Sequence, residues 1–221
     1  MRCVVFDLDG TLAETSGDLL AAANACFRDM GAGDLLGPAD AGTALNGGRA
    51  MLRLGLARLG RRGDEAAVDA WYPRLLAAYA GAIDMHTRLY PGAAAAVAAL
   101  RQAGYATAIC TNKPEALAED LLRRLGVRDL FAALVGADTL PQRKPDPAPL
   151  RTAIAWAGGD PARALLVGDS ETDARTGAAA GVPVALIGFG PEGAGIARLN
   201  PAALLHHFDD LPALAGRLIP A

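Results

Sequence analysis

The chain has 221 residues, 52% of them apolar and only 5% aromatic, with a formal net charge of −3. A chain of this length buries a core without disulfides or a structural metal, and it suits one domain or a core carrying a smaller insert. The charge excludes the basic footprint of a nucleic-acid binder, and no apolar stretch reaches the roughly 18 residues that span a bilayer.

In chain order, Arg2 to Leu8 is an apolar run rich in β-branched residues that breaks into Asp9-Gly10-Thr11. It reads as a buried strand ending in a polar turn. Its first charge after Arg2 comes at Asp7, too early for a signal peptide, so a cytoplasmic protein is expected. The stretch of residues 14–86 holds no convincing strand. Leu19 to Met30, Arg49 to Leu59 and Ala66 to Ala80 read as helices, and Gly, Pro and Asp break residues 31–48. This stretch reads as an α-helical insert after the first strand, with residues 1–13 and 87–221 forming the core. The arginines from Arg49 to Arg62 read as a solvated helix face.

Beyond the insert, strands and helices alternate. Ala93 to Gln102 is a helical run stopped at Gly104, and Tyr105 to Cys110 is a second buried strand followed by Thr111-Asn112-Lys113-Pro114. Pro114 to Leu125 reads as a helix with proline at its first position. Ala132 to Val135 is a weaker strand, and Asp146-Pro147 opens a helix ending near Gly158. Leu165 to Val167 is a strand ending in Gly168-Asp169-Ser170, Thr172 to Ala180 a helix, and Val182 to Ile187 a strand. This alternation predicts a parallel α/β sheet, whose strands are covered on both faces and so read as continuous apolar runs. Cys3, Cys26 and Cys110 are widely spaced and form no CxxC, which argues against disulfides or zinc and fits a reducing compartment. His206 and His207 have no clustered Cys or His partner and read as surface residues.

Polar residues follow directly after three of the strands. Ligands of open α/β sheets bind at that carboxyl edge, so Asp7, Asp9, Thr111 and Asp169 converge although they are far apart in sequence. In an extended segment Asp7 and Asp9 point to one side. Two such carboxylates repel, and a hard cation such as Mg²⁺ relieves them.

Asp7-Leu8-Asp9-Gly10-Thr11 resembles the first motif of the haloacid-dehalogenase (HAD) superfamily of phosphohydrolases. The other motifs follow in order: Thr111 after the second strand, Lys144 in Arg143-Lys144-Pro145-Asp146-Pro147, and Gly168-Asp169-Ser170-Glu171-Thr172-Asp173. The resemblance implies a Rossmann-like parallel sheet core with a small α-helical cap inserted after the first strand. It implies that Asp7 attacks phosphorus, that Asp9 serves as acid and then base, and that Thr111 and Lys144 hold the phosphoryl oxygens. Asp7, Asp169 and the backbone carbonyl of Asp9 would bind Mg²⁺, with Asp173 orienting that group. Backbone N–H groups of Asn112 and Lys113 at the following helix start suit phosphate as well. Thr111 can also cap that helix.

Asp9 favours phosphate transfer, since dehalogenases of the superfamily lack this second aspartate. Asp138 to Leu150 and Val167 to Thr176 resemble the phosphoglycolate phosphatase family, which implies a small phosphorylated metabolite as substrate. In the insert, Asn46-Gly47-Gly48 is similar to a substrate-reaching Gly-Asn-Gly loop of that family, with Leu45 in place of the first glycine. Arg49 beside it can pair with a substrate carboxylate. A phosphatase for a sugar phosphate such as N-acetylmuramic acid 6-phosphate, a mutase of the β-phosphoglucomutase kind and a non-catalytic binding module remain as alternatives.

Overall fold

The computed structural model describes residues 1–220. They divide into two compact units, residues 1–13 with 89–220, and Glu14–Arg88. The first unit is built on a parallel sheet of β1 (Cys3–Phe6), β4 (Ala106–Cys110), β5 (Ala133–Val135), β6 (Ala164–Gly168), β7 (Val184–Ile187) and β8 (Ala203–Leu205). Their spatial order is β5-β4-β1-β6-β7-β8. The order reverses at β1, the switch point where ligands of such sheets bind.

Every residue of β1, β4 and β6 is buried, which is why these strands read as unbroken apolar runs. Side chains alternate between the two faces. On one face Cys3, Val5, Ala106, Ala108 and Cys110 share a core with Leu150, Ala153 and Ile154 of helix α7 (Pro147–Trp156). On the other, Phe6 meets Phe131 edge-on at 6.0 Å. Helix α5 (Ala93–Gln102) packs against β4, and α8 (Glu171–Ala180) against β6 and β7. Helix α6 runs Glu115–Arg124. Pro114 is thus the residue before the helix, with extended ψ of 137°, and not its first helical position. Two late elements were not anticipated, strand β8 and helix α9 (Leu211–Leu218). β8 is an edge strand of three residues, half-buried at two of them, and its Ala-Leu-Leu run is too short to read as a strand.

The second unit is α-helical: α1 (Ser16–Asp29), α2 (Ala41–Leu45), α3 (Gly48–Arg58) and α4 (Glu65–Gly81). Helix α1 begins earlier than Leu19, and the stretch read as broken holds α2. Phe27 of α1 packs so closely on Gly55 of α3 that a Cβ there would lie 2.0 Å from its ring. Asn24 holds the segment after α1, its amide accepting from Leu35 and Leu36 N–H and donating to the Leu36 carbonyl. Buried Asp18 does the same for the unit's end, accepting from the N–H groups of His86 and Thr87 and the Thr87 hydroxyl. The two-residue strands β2 (Ala13–Glu14) and β3 (Arg88–Leu89) pair with each other.

Candidate active site

Asp7 follows the last residue of β1, and its N–H still joins the sheet, donating to Val167 O at 3.0 Å. Thr111 follows β4 in the same way, donating to Val135 O at 3.0 Å. Asp169 follows β6. The parallel ladder therefore sets all three at one edge. After Asp7 the chain turns at Gly10, which has φ +79°, and Gly10, Leu12 and Ala13 N–H close the turn onto Leu8 and Ala13 carbonyls. Glycine takes that left-handed conformation without the Cβ clash other residues meet.

Lys144, on the loop between β5 and α7, lies at the centre. Its Nζ is 3.0 Å from Asp7 Oδ2 and 2.7 Å from Asp173 Oδ1, and its side chain is 1% exposed. Burial works against the ammonium, but the carboxylates of Asp173 and Asp7 outweigh it and hold its pKa above the ordinary value. Asp173 has both oxygens engaged: Oδ1 accepts from Lys144, and Oδ2 accepts from the Ser170 hydroxyl at 2.6 Å and the N–H of Asp169 and Ser170. Ser170 caps α8 in return through Asp173 N–H. This reciprocal capping box satisfies N–H groups that a helix start leaves open. Gly168 makes the approach possible, since a Cβ there would sit 2.4 Å from Asp173 Cγ.

Asp7, Asp169 and Asp173 each offer a carboxylate oxygen, and these atoms all lie within 4.8 Å of one another. Burial is the main cause that pushes Asp7 up to about 6, against the pull of Lys144. Burial also raises Asp169 well above its ordinary value, reinforced by Asp173 and Asp7 and opposed by the Thr11 hydroxyl. Three carboxylates face one ammonium, so with all four groups charged two negative charges remain for a dication to balance. An all-oxygen, buried, acidic set of this kind suits a hard metal ion.

The Asp9 carboxylate goes elsewhere. Its Oδ1 lies 2.7 Å from Lys113 Nζ, in an ion pair whose lysine side chain is 3% exposed. β1 ends at Phe6, so the two-residue alternation does not carry through the turn. Asp7 and Asp9 are each met by a different ammonium. Thr111 is buried, and its Oγ1 accepts from Lys113 N–H at 3.2 Å, within its own turn and short of α6. Asn112 ties two loops together by donating to Lys144 O at 3.0 Å.

Two side chains had no role read from the sequence. The Thr11 hydroxyl donates to Asp169 Oδ1 at 2.6 Å, and its place in the first motif was the available signal. The Lys113 side chain had no sequence signal beyond adjacency to Thr111. In the helical unit, Asn46 Nδ2 donates to Gly42 O and Gly47 has φ +92° before α3. Arg49 pairs with Asp69 and stacks over the Tyr72 ring at 4.5 Å.

A six-stranded parallel sheet whose first strand delivers an aspartate to a buried lysine and two further carboxylates defines a hydrolase of the Rossmann-like class. The chain belongs to the haloacid dehalogenase-like hydrolase family, whose model matches residues 1–181. It is 43% identical to a phosphoglycolate phosphatase of Mesorhizobium japonicum over 99% of this chain and 96% of that protein. It is 40% identical to a phosphoglycolate phosphatase of Rhodospirillum rubrum, over 98% of this chain and 90% of the relative. Among solved structures, a predicted phosphoglycolate phosphatase from Haemophilus somnus 129pt superposes with a TM-score of 0.81 at 26% identity, covering 97% of both chains. Among the described residues no helix is long and apolar enough to cross a membrane.

Proposed function

We propose that this hydrolase is a Mg²⁺-dependent phosphatase that cleaves 2-phosphoglycolate to glycolate and phosphate. The observation that carries the chemistry is the buried bridge Asp7–Lys144–Asp173 beside Asp169. The substrate rests on the named relatives, alike over nearly the whole chain.

Asp7 is the nucleophile. A carboxylate oxygen bonds to phosphorus as the ester P–O bond breaks, and the leaving oxygen takes a proton from Asp9. Water then attacks the aspartyl phosphate, giving its proton to Asp9, and phosphate leaves with Asp7 restored. Splitting one hard displacement into two steps is the gain of covalent catalysis. Lys144 and Thr111 hold the phosphoryl oxygens with donors already in place, the arrangement that dominates phosphoryl-transfer catalysis. The Asn112 N–H is a further candidate for the phosphate, whereas the Lys113 N–H is taken up by Thr111 Oγ1.

Asp7, Asp169 and the backbone carbonyl of Asp9 are the assigned holders of Mg²⁺, with Asp173 committed to Lys144 and Ser170. The bound ion supplies positive charge against the phosphoryl oxygens. Residues 14–86 take the part of the family's cap, with Asn46, Gly47 and Arg49 as its substrate contacts. A cytoplasmic location belongs to the same reading, supported by three free cysteines.

The test is phosphate release from a panel of phosphorylated metabolites, with Mg²⁺ and then with EDTA. Preference for 2-phosphoglycolate, lost with EDTA, is expected. Faster metal-dependent release from a sugar phosphate overturns the substrate and keeps the chemistry. Folded protein releasing phosphate from no ester overturns both.

A further inference from the structure

One buried charge of the site has no side-chain part in these steps. Lys113 lies on the turn after β4, with Nζ 2.7 Å from Asp9 Oδ1. Its backbone is held at both ends, the N–H by Thr111 Oγ1 at 3.2 Å and the carbonyl by Ala137 N–H at 2.9 Å. Stability does not explain this placement. Taking the ammonium out of water is costly, and an apolar residue of similar volume often stabilises a fold as well or better. The ammonium also has no reason to seek Asp9 through local sequence, since the two residues are 104 positions apart.

We infer that Lys113 is a positioning residue for Asp9. By occupying one carboxylate oxygen it tethers the group in one orientation and leaves the second oxygen for the leaving group. Residues 111 to 113 then set two parts of the reaction in register, with the Thr111 hydroxyl at the phosphoryl oxygens and the Lys113 ammonium on the proton-transferring carboxylate. A displacement of about 1 Å in such a group costs on the order of 10²-fold in rate. The inference rests on the reading of Asp9 as the acid for the leaving alcohol.

The experiment compares kcat/KM for two esters, each measured on the same sample of wild type, D9N, K113M and K113R. One is 2-phosphoglycolate, or whichever alkyl phosphate the metabolite panel yields, whose alkoxide needs a proton to leave. The other is p-nitrophenyl phosphate, whose phenolate leaves unaided. Because kcat/KM covers only the steps up to the phosphoenzyme, hydrolysis of that intermediate does not enter. The ratio also cancels any loss of folded protein, and K113Q replaces K113M if the latter does not accumulate. The alkyl-to-aryl ratio is expected to fall at least tenfold in D9N and in K113M, and to recover in K113R, which keeps a cationic donor. A ratio that falls in D9N but not in K113M overturns the positioning role and leaves Asp9 as the acid. An unchanged ratio in D9N removes the acid role of Asp9, and the tether with it.

Discussion

The two units share surface ion pairs and differ in whether they bury any. In the α-helical unit the ion pairs lie at the surface: Arg53 with Glu65, Arg74 with Asp29 and Arg49 with Asp69 all keep about half their side chains in water. Such pairs contribute little, because water screens them and long side chains lose freedom in forming them. The core has surface pairs of the same kind, Arg124 with Asp120 and Arg198 with Glu192 among them, but it adds pairs drawn from distant segments around ammonium groups almost wholly out of water: Lys144 with Asp7 and Asp173, Lys113 with Asp9. Burying charge is unfavourable for stability, so its concentration at one sheet edge is what makes that edge the candidate site.

The comparison is broken most sharply at Asp7. D7N is expected to lower kcat by at least about 10³-fold, as loss of a nucleophile does, without lowering the melting temperature. Full activity in that variant would refute the nucleophile assignment. Next is Lys144→Met, which leaves Asp7 and Asp173 buried without their ammonium. Removing one partner of a buried pair costs about 3 kcal/mol or more, so the urea midpoint should drop clearly; an unchanged midpoint would show that the bridge does not form.

The metal-free protein offers a third test. Asp7 is raised from 3.8 to about 6, so the folded state binds more protons than the unfolded between those values. Its stabilising share is complete below 3.8 and is lost as pH rises through about 6. Asp169 shifts in the same direction. The melting temperature with EDTA should therefore fall as pH goes from 5 to 7, and Mg²⁺ at pH 7 should raise it. A melting temperature indifferent to Mg²⁺ at pH 7 contradicts the site. The smallest effect is expected at the surface, where Arg53→Gln should leave melting temperature and kcat within measurement scatter. A marked loss there would end the contrast between the units.

Much of the site was legible because its residues announce strand ends. Asp7, Thr111 and Asp169 each follow an apolar run, and a parallel sheet of buried strands must bring such ends to one edge. Lys144 was legible only through its motif, since its loop follows the short strand β5 and a lysine in a loop is ordinarily a surface residue. The side-chain work of Lys113 was hidden for the same reason: Thr-Asn-Lys-Pro looks like a solvated turn.

Local sequence alone determined the alternation of buried strands and helices, the α-helical stretch after β1 and the aspartates at the strand ends. These follow from apolar periodicity and turn residues, which act over a few positions. Only the tertiary structure decided which charge meets which. Phe6 pairs with Ile109 in the β1–β4 register, and that register carries the turn after β1 alongside the turn after β4. Asp9 thereby meets Lys113 instead of sharing a cation site with the Asp7 carboxylate. Electrostatic partners are chosen by distance in a low-dielectric interior, and that distance exists only once the strands have aligned.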